Sequence, residues 1–144
     1  MSERKPRIHI DIQDGPIDIA ALCERAGTDA DGAALLFVGR ARNHSNGKAV
    51  THLDYEAYRS MAVRELEKIA QDACGRWDVG ACAIVHRVGR VVIGDASICI
   101  AVSSPHRDDA YRASRFIIDT IKKTVPIWKK EYYEDGSMWI SERG

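Results

Sequence analysis

The chain has 144 residues, 45% hydrophobic and 29% charged, which is the composition of one folded domain over residues 1–144 and not of a disordered segment. Its 21 Lys and Arg balance its 21 Asp and Glu, giving a net charge of zero, so no whole-protein basic field is available to hold nucleic acid. The longest apolar run, Ala33 to Val38, is too short to span a membrane, and Met1 to Pro6 has no apolar stretch of a secretory signal behind its charges; the cytoplasm is the expected location.

Arg7 to Ile12 alternates apolar and polar residues and reads as a first strand. Pro16 fits the first turn of a short helix with Ile19, Leu22 and Cys23 on one face and Gly27 at its end. Ala33 to Val38 is predicted as a buried strand that runs on through Arg42 towards a polar loop, Asn43 to Lys48, expected to be mobile. Val50 to Tyr58 includes an alternating strand with Leu53, Tyr55 and Ala57 on one side. From Met61 to Trp77 the three-and-four spacing of Ala62, Leu66, Ile69, Ala70, Ala73 and Trp77 predicts an amphipathic helix. Ala81 to Val88 and Ala96 to Val102 read as strands, with a short β segment from Gly89 to Asp95 between them. A second helix is predicted from Pro105 to Lys123, capped by Ser104 and stopped by Pro126. Ile127 to Tyr133 and Ser137 to Ile140 close the chain as a hairpin turned at Asp135-Gly136. The predicted class is α+β: a mostly antiparallel sheet, two main helices and a smaller β part.

Three basic clusters stand out on this neutral chain. His106 and Arg107 fall at a helix start, where free N–H groups and the positive dipole end favour an anion; the competing reading is solvated surface neutralised by Asp108 and Asp109. Lys122, Lys123, Lys129 and Lys130 crowd around Pro126. A lysine among other cations and partly out of water has a lowered pKa and can act as base, acid or nucleophile, and the alternative is a solvated lysine patch. Arg40 and Arg42 share a strand face and form a fork suited to phosphate or carboxylate, or are two arginines at a loop edge. The four cysteines have no C-x-x-C pair and read as reduced, mostly buried residues. Cys82 and His86 would share a strand face, but two ligands do not make a metal site. No P-loop, G-x-G-x-x-G or serine elbow is present.

Four ordered segments carry a resemblance: Phe37 to His44, Val85 to Gly89 followed by Gly94-Asp95, Ser103 to Arg107, and Lys122 to Glu131. In that order and spacing the chain resembles the family of molybdopterin synthase large, catalytic subunits (MoaE). The resemblance implies an α/β-hammerhead fold and a sulfurtransferase. It implies a homodimer within a heterotetramer that includes two copies of a small ubiquitin-like sulfur carrier. The carrier's C-terminal Gly-Gly thiocarboxylate would enter a pocket of the large subunit. Two sulfurs would pass to cyclic pyranopterin monophosphate, forming the molybdopterin dithiolene, with no cofactor or metal in this subunit. It places Arg40, Ala41 and Arg42 at the substrate-binding strand end, with His106 and Arg107 at a helix start. Lys122 and Lys129 become the catalytic pair, with Lys130 and Glu131 beside them and Arg143 near the C-terminus. Some of these residues would act across the dimer. The rival from another class is a docking module that holds a carrier tail without catalysis. A single-stranded RNA binder would need aromatics among its basic clusters, and aromatics are only 7% of the chain.

Overall fold

The computed structural model describes residues 5–141, so Arg143 lies outside the described residues. Eight strands and three helices follow in the order β1 (Arg7–Asp14), α1 (Ile19–Arg25), β2 (Ala33–Arg40), β3 (His44–Ser45), β4 (Lys48–Ala57), α2 (Arg59–Arg76), β5 (Ala81–Val92), β6 (Ala96–Ser104), α3 (Arg107–Thr124), β7 (Ile127–Tyr133) and β8 (Met138–Ser141). The class is α+β, as the alternating and helical patterns predict.

β5 organises the sheet because it is long enough to serve two sets of partners. Ala81–His86 pairs antiparallel with β6, while β1 runs parallel along its other side. Its last residues, Gly89–Val92, pair with β4, which in turn carries β7 and then β8. The predicted separate segment from Gly89 is therefore the continuation of one strand. Gly89 sits at φ 85°, a conformation that costs a glycine little, and the strand passes through it from one set of partners to the other.

Period-two alternation divides β5 and β6 between two apolar layers. Cys82, Ile84, Ile98, Ile100 and Val102 face the main core. Ala81, Ala83, Val85, Cys99 and Ala101 face a smaller cluster with Leu22 and Ala26 of the α1 region. In the main core α2 contributes Ala62, Leu66, Ile69, Ala70 and Ala73, as its spacing predicts, while Trp77 follows the helix as its cap and packs half-buried against the core. α3 adds Ala113, Ile117, Ile118 and Ile121. No helix among the described residues is long and apolar enough to cross a membrane.

Several local expectations need correction. α1 starts at Ile19, not at Pro16, because the Asp18 carboxylate accepts from the Ala21 N–H and caps it there. Cys23 is exposed and Cys74 half-buried, leaving Cys82 and Cys99 as the buried pair of thiols. β2 is half-buried, since it pairs only with β6 and forms the sheet edge. The polar segment after Arg42 is an ordered hairpin: β3 pairs with the start of β4 across Asn46-Gly47, both at positive φ. Ser104 stays in β6, fully buried, and the cap position of α3 falls on His106. Arg107 is thus the first helical residue.

Candidate active site

The main-core face of the sheet opens into a partly enclosed cavity of about 130 Å³. Each of its walls follows from the fold. Along β7, Ile127, Lys129 and Glu131 share one face by strand alternation and line the cavity. Lys129 is opposite Tyr55 and Glu131 opposite Leu53 on β4, so all four lie on the same side. The end of α3 supplies Lys122, and Val125 follows it into the wall.

The third wall is the end of β2. Gly39 lines it beside a register shift at Gly39/Arg40. A Cβ on Gly39 would lie 2.7 Å from Ile98 Cγ2, a clash that only glycine avoids. Beyond it Ala41 is buried and held at both backbone groups: its N–H donates to the Asp95 carbonyl at 3.0 Å, and its carbonyl accepts from the Gly94 N–H at 2.8 Å. That clamp fixes Arg40 and Arg42 on either side of Ala41, and both line the cavity. The Gly94-Asp95 turn is braced in turn by Arg87, whose guanidinium lies 3.2 Å from Asp95 and donates to the Arg90 carbonyl at 2.8 Å.

The structure therefore gathers Arg40, Arg42, Lys122, Lys129 and Glu131 around one cavity, drawn from segments about 90 residues apart in the chain. Lys130 points the other way. It shares the opposite face of β7 with Trp128, and both reach Glu56, at 3.4 Å and 3.0 Å. His106 and Arg107 are exposed at the far end of α3 from Lys122. Eighteen helical residues span about 27 Å, so they do not reach the same cavity within one chain.

Electrostatically the cavity is a cationic bowl with one anion. Lys122 is exposed overall, yet burial of its cavity side lowers its pKa and the Lys129 charge lowers it further. Burial alone would raise the Glu131 pKa. The Tyr133 and Ser45 hydroxyls and the Lys129 charge outweigh that, holding it below its ordinary value. Burial raises the Tyr55 pKa. Among the described residues, no group of three or more His, Cys, Asp or Glu side chains is placed to hold a metal ion. None of the four cysteines lines the cavity.

His86 was not among the sequence-predicted site residues, although a lone histidine in an apolar strand was its signal. It is buried on the main-core face of β5, lines the cavity and meets the Tyr55 ring edge-on at 5.0 Å. Its Nδ1 lies 2.8 Å from the Arg87 carbonyl. Nδ1 therefore carries the proton and donates, and Nε2 is the acceptor. Burial pushes its pKa down to about 4, with the Arg87 carbonyl opposing and the Lys122 charge assisting. His44, the last residue of the Phe37 to His44 segment, also lines the cavity, as do Tyr55, Ser97 and Ser45, for which the sequence gives no pattern that would single them out.

Residues 12–124 match the family model described as MoaE protein. The chain belongs to the MoaE family. A MoaE relative from Halalkalibacterium halodurans, a molybdopterin synthase catalytic subunit, is 45% identical over 132 residues, 92% of this chain and 85% of that one. The molybdopterin synthase catalytic subunit of Taeniopygia guttata is 44% identical over 142 residues, 96% of this chain and 92% of the relative. Among solved MoaE folds, the crystal structure of molybdopterin synthase from Staphylococcus aureus superposes with a TM-score of 0.85 at 40% identity. It covers 90% of this chain and 94% of that chain.

Proposed function

We propose that this chain is the catalytic subunit of molybdopterin synthase. It transfers two sulfurs from the thiocarboxylated C-terminus of a small ubiquitin-like carrier to cyclic pyranopterin monophosphate, making the dithiolene of molybdopterin. The observation that carries this reading is the cavity itself: Arg40, Arg42, Lys122 and Lys129 converge on a space that no cysteine lines. An anionic substrate has guanidinium and ammonium partners there, and sulfur has to arrive from outside the chain. An extended tail ending in a thiocarboxylate meets both requirements.

In this mechanism Arg40 and Arg42 bind the phosphate and pterin oxygens. Lys129 stabilises negative charge as the thiocarboxylate carbon is attacked. Lys122, less costly to deprotonate than an ordinary lysine, moves protons or attacks the carbonyl itself; for each transfer the sulfur bonds to a pterin side-chain carbon as an oxygen leaves that carbon, the carrier's C–S bond breaks, and water restores the carrier's carboxylate. His106 and Arg107 serve the site of a second copy. An open apolar groove lined by Leu35, Phe37, Trp77, Tyr111 and Phe116 adjoins the cavity and shares Phe37, Ile118 and Lys122 with it. A twofold-related chain seated there brings its own α3 towards the cavity mouth.

Arg107→Ala should weaken substrate binding by about 1–3 kcal/mol, the cost of a lost charge-assisted bond, and leave carrier docking unchanged; calorimetry on each ligand separates the two. The reading as a whole is tested by mixing the chain with thiocarboxylated carrier and cyclic pyranopterin monophosphate. Dithiolene product is expected, and none with a carrier lacking its final Gly-Gly. Carrier binding without any product would instead support the docking-module reading.

A further inference from the structure

Glu131 is the sole acidic side chain on the cavity wall among the described residues, and it is buried. A carboxylate so placed takes up a proton unless its neighbours hold it ionised. Lys129 Nζ lies 3.6 Å from one carboxylate oxygen, and the Tyr133 hydroxyl donates to the other at 2.6 Å. The Tyr133 oxygen accepts in turn from Asn46 Nδ2 at 3.2 Å. Asn46 is the first turn residue of the β3–β4 hairpin, held at φ 53°. A continuous chain of contacts thus runs from the hairpin tip through Tyr133 and Glu131 to Lys129. Tyr133 is buried and is not part of the cavity lining, so it bears on the cavity through its partners there, Glu131 and Ser45.

We propose that Tyr133 is a positioning residue: backed by Asn46, it holds Glu131 as the anchor that fixes the Lys129 ammonium in the cavity. The inference rests on the reading of Lys129 as a group that acts on the thiocarboxylate. The Tyr133 hydroxyl, the Ser45 hydroxyl and Lys129 together explain why Glu131 can be both buried and ionised. The ion pair reaches only one carboxylate oxygen, and the Tyr133 hydroxyl is the short donor to the other; a buried oxygen that loses its donor is costly. A phenylalanine at 133 would fill the same space and take away the 2.6 Å donor to that oxygen. Other titratable or charged groups around Glu131 and Tyr133 are Arg40 and Arg42 after β2, His44 on β3, Tyr55 on β4, His86 on β5 and Lys122 on α3. Lys48 lies 5.3 Å from the Tyr133 ring. None of these is a carboxylate, so a carboxyl titration in the cavity reports on Glu131.

The test uses the full chain with 13C-carboxyl-labelled glutamate, the Glu131 signal being assigned by its loss in Glu131→Gln. In Tyr133→Phe the Glu131 midpoint should move to higher pH, because the opposing donor is gone while burial remains. Single-turnover sulfur transfer with thiocarboxylated carrier should fall by about 10-fold as the Lys129 ammonium loses its fixed position. Added to Glu131→Gln, the same change should alter the rate by less than about twofold, since the two residues act as one unit. An unmoved Glu131 midpoint in Tyr133→Phe, or rate losses that simply multiply in the double variant, would overturn the proposal. A shifted midpoint with an unchanged rate in every variant, Lys129→Ala included, would leave the contact network standing and overturn the role of Lys129 instead.

Discussion

Lys122→Ala and Lys129→Ala should each cut turnover by about 10²-fold or more while leaving carrier affinity nearly unchanged. Both side chains line the cavity, one from the end of α3 and one from β7. They meet there because β7 follows α3 after the short Val125-Pro126 link. The two losses differ in origin. Removing Lys129 takes away a cation held against Glu131, so the transition state loses charge stabilisation. Removing Lys122 takes away the amine whose pKa burial and Lys129 lower. The pair is also coupled. In Lys129→Ala the Lys122 pKa should rise, and the residual activity should need a higher pH. Single-turnover rates across pH, with carrier binding measured separately, check this. Near-wild-type rates in both variants would remove the lysines from the chemistry.

Acid should destabilise the fold through His86 by about 3 kcal/mol between neutrality and pH 4. In the folded chain its pKa is pushed down to about 4, against 6.5 in an open chain. Below 6.5 the unfolded state binds a proton that the folded state does not. Stability is therefore full above that value and falls as pH drops, until the folded pKa is reached. His86→Gln keeps a donor for the Arg87 carbonyl and does not titrate. Urea unfolding at stepped pH should show a flatter profile for the variant over that window. His9 and His52 are also held below their ordinary values, but they are present in both proteins and cancel in the difference. Equal slopes would mean that His86 is not buried neutral.

What the sequence made legible was whatever follows from local spacing. The α2 stripe from Ala62 to Ala73, the apolar face of α3 and the face shared by Ile127, Lys129 and Glu131 are all consequences of helix or strand period, and the structure has them where the period puts them. Arg40 and Arg42 likewise reach one cavity. The structure departs from the sequence pattern where two local signals compete. Ser104-Pro105 is a good helix start by composition, but pairing of Ser104 with Ala33 in the sheet outweighs the cap, and the helix begins later. Asn43 to Lys48 is polar enough for a loop, yet Asn46-Gly47 closes a tight turn and pins it to β4. Non-local geometry was out of reach. Nothing in Lys129-Lys130 says which lysine faces the cavity until the β4 register is known, and nothing near Tyr133 announces Asn46, 87 residues away.

In the proposed function both sulfurs of the product come from a carrier's C-terminus through this cavity. A carrier whose thiocarboxylate is made with 34S tests it directly, with cyclic pyranopterin monophosphate as substrate and mass analysis of the dithiolene formed. The expected product carries the label at both sulfur positions, and none forms when Lys122 and Lys129 are both replaced by alanine. Product formed at full rate without the label, whether from free sulfide or from the chain's own cysteines, would contradict it.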